Sequence, residues 1–271
     1  MKKPLVILLL ISSFIYAKQR LVVLDPASIE IIYLLGGGDE IVGIASLQHS
    51  NIYPEDKTKK LNSVGTFSNP SLEKIFSLKP SLVILSQYSL NLQDSLEKLG
   101  IKTMFLEANE LSDMKTNIKK IGEILNKTKE ADDLIVKFEK DMQEFKKDSF
   151  NKSAIFLFSS SPLMAFTDNS LIADILRGLG IKNLSMKSEI QRPIISSEFI
   201  LKQNPDLIII GIGARDIKEL ITQNEVLKNT NAYKNGQILL YDNTHVLLRL
   251  SPIMIERIKE FRNFLSENLN K

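Results

Sequence analysis

The 271-residue chain has no cysteine, no tryptophan and two histidines, His49 and His245. Without cysteine it can have no disulfide, no thiolate metal site and no lipid-modified cysteine behind a leader. The two histidines stand alone, and no tight cluster of His, Asp and Glu offers the three or four ligands that a bare cation needs. Enzyme signatures are missing as well. There is no Gly-x-Ser-x-Gly, no His-Glu-x-x-His and no phosphate loop, so an α/β enzyme would lack an evident nucleophile, zinc site or nucleotide cradle. Charge of one sign is scarce: 35 Lys and Arg face 32 Asp and Glu, and setting aside Lys2 and Lys3 leaves 33 − 32 = +1. Nucleic acid is not suggested by such a balance.

The chain opens with Lys2 and Lys3, a mostly apolar run from Leu5 to Tyr16, and a small residue at Ala17. That run is too short to span a bilayer, and it predicts a secretory signal peptide over residues 1–17; the alternative is a buried N-terminal helix. With no cysteine at the cleavage site, the mature chain is expected to be free in the periplasm, not lipid-anchored. A hydrophobic content of 44% is ample for real cores.

The most informative stretch occurs twice. Ser71 to Leu85 is echoed by Ser197 to Ile210, and each copy has a Glu seven residues before a Pro, Glu73 before Pro80 and Glu198 before Pro205. Each copy reads as a short helix feeding a buried strand. Ser71 and Ser197 are candidate N-caps, the Glu falls where the helix dipole favours negative charge, and Pro stops the helix.

Around these copies, apolar runs at Leu21–Leu24, Ile41–Ala45, Leu82–Leu85, Thr103–Leu106, Ala154–Phe158, Leu207–Ile210 and Ile238–Tyr241 alternate with helical segments. This order predicts parallel sheets covered by helices on both faces. Ser28 is expected to cap the first helix, and Gly36-Gly37-Gly38 follows a helix instead of opening one, which favours a C-cap over a phosphate loop. From Ser112 to about Lys147 charge is dense and proline absent, and Ile118, Ile121, Leu125, Ala131, Ile135 and Phe138 recur at helical spacing. One broken or two consecutive helices fit this stretch, with a coiled coil as the plain alternative. Ser251-Pro252 is expected to cap and start a terminal amphipathic helix.

Taken together, Leu24-Asp25-Pro26-Ala27-Ser28-Ile29-Glu30-Ile31, Val64-Gly65 through Ser68-Asn69-Pro70-Ser71-Leu72-Glu73, Leu78-Lys79-Pro80-Ser81-Leu82-Val83 and Arg249-Leu250-Ser251-Pro252 resemble the periplasmic solute-binding proteins of ABC importers for cobalamin, ferric siderophores and haem. The likeness covers essentially the whole mature chain. It implies two Rossmann-like α/β lobes joined by a single long helix, divided here as residues 18–111, 112–149 and 150–271. It also implies a monomer that binds its ligand between the lobes and docks on a membrane permease through carboxylates matching Glu73 and Glu198. No intrinsic cofactor and no enzymatic activity are implied.

Open α/β sheets present ligand sites at the carboxyl ends of their strands. Those ends carry Gln48 and His49, Gln87 and Tyr88, Ser159 to Pro162, Arg215, and His245 to Arg249. His245 and His49 read either as contacts to the iron of a bound complex or as surface loop residues. Tyr88 reads as an iron ligand or as an aromatic cover on the lobe core. Arg249 could clamp a propionate, catecholate or phosphate, or form a salt bridge that steadies its loop; Arg192, just before Pro193, has the same two readings. An iron complex, haem or a ferric siderophore, is therefore expected over cobalamin, because a large uncharged corrinoid disc would want aromatic faces and this chain has no Trp and 7% aromatic residues.

Overall fold

The computed structural model describes residues 18–48, 50–145, 149–213 and 216–269. The predicted signal peptide, His49 and Arg215 lie outside the described residues. The first half comprises β1 (Leu21–Val23), α1 (Pro26–Leu34), β2 (Ile41–Ser46), α2 (Glu55–Thr58), β3 (Ser63–Thr66), β4 (Asn69–Pro70), α3 (Leu72–Ser77), β5 (Leu82–Leu85), α4 (Gln93–Lys98) and β6 (Lys102–Phe105). Two helices follow, α5 (Asp113–Ile124) and α6 (Thr128–Phe145). The second half runs β7 (Lys152–Ser160), β8 (Leu163–Ala165), α7 (Leu171–Gly178), β9 (Ile181–Asn183), α8 (Ser197–Gln203), β10 (Leu207–Gly213), α9 (Ile217–Gln223), α10 (Asn231–Lys234), β11 (Ile238–Leu240), α11 (Thr244–Leu247) and α12 (Met254–Leu269).

The first sheet has the order β4-β3-β2-β1-β5-β6 and is parallel except at β3/β4. In the second, β11-β10-β7-β8, with β9 also on β7, the β7/β8 pair is antiparallel and the rest are parallel. The unbroken apolar runs have a direct cause. Val22 and Leu24 of the first strand segment pack with Val83, Leu85 and Ile75 on one face, while Leu21 and Val23 pack with Ile84 and the helices on the other. A strand buried on both faces has no position left for a polar residue. Four short strands, β3, β4, β8 and β9, escape the sequence reading because each is too brief to show a period.

One apolar cluster runs through both halves, from Ile29, Ile32, Met114 and Ile118 to Phe156, Leu247 and Phe261. The α5–α6 pair lies within it. Of the two readings of the connector, the chain has two consecutive helices, broken around Asn126 with its left-handed φ of 54°, and the 18-residue α6 is the long one that leads to the second sheet. Gly122, the lone glycine of this segment, sits where an added Cβ would lie 2.5 Å from the Ala131 Cβ. Its missing side chain lets the two helices close on each other.

Three capping expectations are corrected. Asp25, not Ser28, caps α1: Pro26 with its fixed φ occupies the first helical position, and the Asp25 carboxylate accepts from the Ser28 backbone N–H at 2.8 Å and from the Ser28 hydroxyl at 2.6 Å. Ser196, not Ser197, caps α8, with its hydroxyl 3.1 Å from the Phe199 N–H. Ser251 donates its hydroxyl to the Glu30 carboxylate, a charge-assisted bond, and α12 starts only at Met254.

Candidate functional site

The carboxyl ends of β1, β2, β5 and β6 face those of β7 and β10 across a cleft of about 570 Å³, within the roughly 300–1,000 Å³ of small-molecule sites. Its floor is built from charge. Glu30, the lone charged residue in α1 and fully buried, meets Arg257, Arg249 at 3.5 Å, and the Ser251 hydroxyl. Arg249 in turn donates to the Asn51 carbonyl at 2.6 Å and to the Ser50 hydroxyl. Burial pulls the Arg249 guanidinium below its ordinary value, and the Glu30 charge opposes that pull. Arg249 touches the cleft, yet of its two sequence readings the loop-steadying ion pair is the one built here. Asp25 also lines the floor, and burial holds its carboxyl above the usual range despite the bonds from Ser28.

The walls are aromatic. Tyr88 follows β5 in the first half and stacks at a tilt on Phe67, with centroids 5.0 Å apart. Opposite it, Phe158 of β7 meets Phe166 edge-on at 5.8 Å. Arg192 lies over the Phe158 ring at 4.3 Å and donates to the Tyr88 hydroxyl at 3.3 Å, so one guanidinium stacks on the second half and reaches the first. His245, on α11, lines the same cleft from the second half. Gly211 of β10 makes room for that helix, since a Cβ there would come within 2.8 Å of the Thr244 hydroxyl.

Arg192, Tyr88, His245 and Arg249 thus come together in one cleft, and Glu73 and Glu198 do not belong to it. Each of those two is exposed at the second position of a helix, α3 and α8, behind the capping Ser71 and Ser196. In a βα unit the helix N-terminus lies beside the carboxyl end of the sheet, which is the end that carries the cleft. Sequence reasoning missed Glu30, Phe67, Phe158, Phe166, Gln191 and Asn109. A lone Glu within Pro-Ala-Ser-Ile-Glu-Ile-Ile was a signal for a buried partner; Phe158, at a strand end, was another. The remaining four had none. Among the described residues no group of three or more His, Asp or Glu could hold a bare metal ion, and no helix is long and apolar enough to cross a membrane.

A family model described as periplasmic binding protein matches residues 21–244. The petrobactin-binding protein YclQ of Bacillus subtilis (strain 168) is 24% identical over 265 residues, covering 92% of this chain and 83% of its own. A vitamin B12-binding protein of Pectobacterium atrosepticum is 29% identical over 220 residues, covering 77% of each chain. Among solved structures, a periplasmic heme-binding protein from Pseudomonas aeruginosa matches the fold with a TM-score of 0.73 at 22% identity, over 89% of this chain and 90% of that one.

Proposed function

The chain belongs to the periplasmic binding protein family, and from that premise we propose that it captures an iron complex, haem or a ferric siderophore, and delivers it to an ABC-type importer. The observation that carries this reading is the Tyr88–Arg192 pair across an aromatic cleft. A tyrosine oxygen can complete the coordination of an iron already held in a complex, and the guanidinium beside it offers bidentate contacts to a carboxylate or catecholate. His245 brings a nitrogen from the opposite lobe, which tips the balance toward haem, a ring with two open faces. Arg249 holds the floor, and His49 is proposed as a further ligand residue on its sequence position alone.

The alternative is cobalamin, which the vitamin B12-binding relative favours. Against it stand the absent tryptophan and the small share of aromatic residues, 7% of the chain. In either case the protein binds without turnover, acts as a monomer, and reaches the periplasm through the signal peptide over residues 1–17. Its functional units are a lobe over 18–111, a connector over 112–149 and a lobe over 150–271. Glu73 and Glu198, one on each lobe, dock on basic residues of the permease.

The test is to titrate haemin, a ferric catecholate and cyanocobalamin into the protein, then to repeat with Tyr88→Phe and His245→Ala. A Soret band that shifts on binding and moves with either substitution, with affinity reduced about tenfold or more, supports the coordination reading. Binding of cyanocobalamin alone, or a haem spectrum indifferent to both substitutions, defeats it.

A further inference from the structure

Among the described residues, besides the Leu111 N–H donating to the Asp174 carboxylate at 2.9 Å, two sets of bonds join the halves, and they differ in kind. Those at the floor centre on Glu30 and are buried. Those at the mouth come from two consecutive residues and are exposed: Gln191 Nε2 donates to Asn109 Oδ1 at 2.9 Å, Gln87 Nε2 donates to Gln191 Oε1 at 3.3 Å, and Arg192 reaches Tyr88. Gln191 sits in a short strap pinned to its own half at both ends. Asn169 bonds Ser188 twice, at 3.1 Å each, and the Ala165 N–H donates to the Pro193 carbonyl at 3.2 Å. Between these pins Gln191 spends both ends of its amide on the other half.

We infer that the Ser188–Pro193 strap is the gate through which ligand enters and leaves, and that Gln191 is its latch. The inference rests on the cleft being the ligand site, and not on which ligand it takes. An exposed amide bond exchanges with water at little net cost, whereas parting the Glu30 cluster would strand buried charges, so the mouth opens while the floor stays closed. Passage then needs a local swing of the strap and no rotation of whole lobes. The latch bonds join protein groups alone, and they close the mouth of a filled and an unfilled cleft alike.

Because the chain has no cysteine, introduced ones are unique labels. One spin-label pair, Ile190→Cys with Lys98→Cys, reports strap to first lobe; another, Lys202→Cys with Lys98→Cys, reports lobe to lobe. In Gln191→Ala and in Asn109→Ala, the strap distances should broaden toward longer values with the lobe distances unchanged. Association and dissociation rates of haemin should rise together, each by roughly tenfold, the scale of one or two net hydrogen bonds. A rise in dissociation alone would make Gln191 a plain wall contact, and joint broadening of both pairs would mean that the lobes move as bodies; either overturns the gate. Should haemin fail to bind, the ligand reading falls, and the two distances in the same variants still decide the latch.

Discussion

The two helix-strand units correspond position for position, and they part company at one place. Ser71 and Ser196 cap, Glu73 and Glu198 stand two residues on, and Lys79 and Asn204 take left-handed φ of 47° and 45° just before Pro80 and Pro205. The next residue ties the unit to its neighbouring strand. In the first half the tie is neutral, the Arg20 N–H donating to the Ser81 hydroxyl at 3.0 Å. In the second it is charged: the Asp206 carboxylate accepts from the Ser153 N–H at 2.8 Å and the Ser153 hydroxyl at 2.7 Å. The fold therefore needs a cap, a stop and a tie, and is indifferent to the charge of the tie. A feature that both copies share without any packing reason, the exposed Glu, calls for an explanation outside the fold.

At the Glu30 joint the halves are unequal in the opposite sense, the first giving a carboxylate and the second two guanidiniums. Glu30→Ala would leave Arg249 and Arg257 buried beside each other, and breaking a buried pair in this way costs about 3–5 kcal/mol. For a chain of this size that corresponds to a melting point lower by roughly 10 °C. Since one apolar cluster runs through both halves, calorimetry should show a single transition moving down. Two separate transitions, or a shift of a degree or less, would show that the halves do not depend on this joint.

A smaller effect comes from making the second tie like the first. Bonds from Ser153 hold the Asp206 carboxyl below the usual carboxylate range. A carboxylate depressed in the folded state contributes stability above its unfolded value and loses it as pH falls through the folded one. Asp206→Ser should therefore cost about 1 kcal/mol at pH 7, a modest figure because the group is partly exposed, and the gap to the parent should persist at about pH 4 and close only below it. Urea denaturation at several pH values measures it. A gap that does not change on acidification would mean that its cause is not the carboxylate charge, and no gap at any pH would mean that the hydroxyl replaces the carboxylate fully.

Much of this plan could be read in advance from residue order. The apolar runs Leu21–Leu24 and Leu207–Ile210 announce strands buried on both faces, and the Glu-Pro spacing announces the repeated unit. Caps slipped by one to three residues, because Asp25-Pro26 and Ser196-Ser197 each offer two starts and geometry chooses between them. The cleft was legible at strand ends, which is why Tyr88 and His245 were found. Gln191 and Asn109 were not, for their pairing joins residues 82 positions apart through a strap with no period. Arg249 shows the limit most clearly: its guanidinium could face a ligand or a carboxylate, and the choice depended on Glu30, 219 residues away.

The smallest effect on the fold is expected from the feature that the two copies share most plainly. Glu73 and Glu198 are exposed, and an acidic residue in the first turn of a surface helix contributes about 0.3–1 kcal/mol through the helix dipole. Replacing both with Ala should thus lower the melting point by at most a few degrees and leave ligand affinity unchanged, since neither lines the cleft. Two like charges at matching places on two related lobes nevertheless suit a partner with two related basic sites, as a two-fold permease would offer. Each single Ala variant should slow uptake and the double variant should abolish it, with a salt dependence of permease binding that weakens as each charge is removed. If the double variant transports at the normal rate, the two carboxylates serve their helices alone; if it loses ligand affinity along with transport, they act on the cleft, and the symmetry of the two copies has another cause.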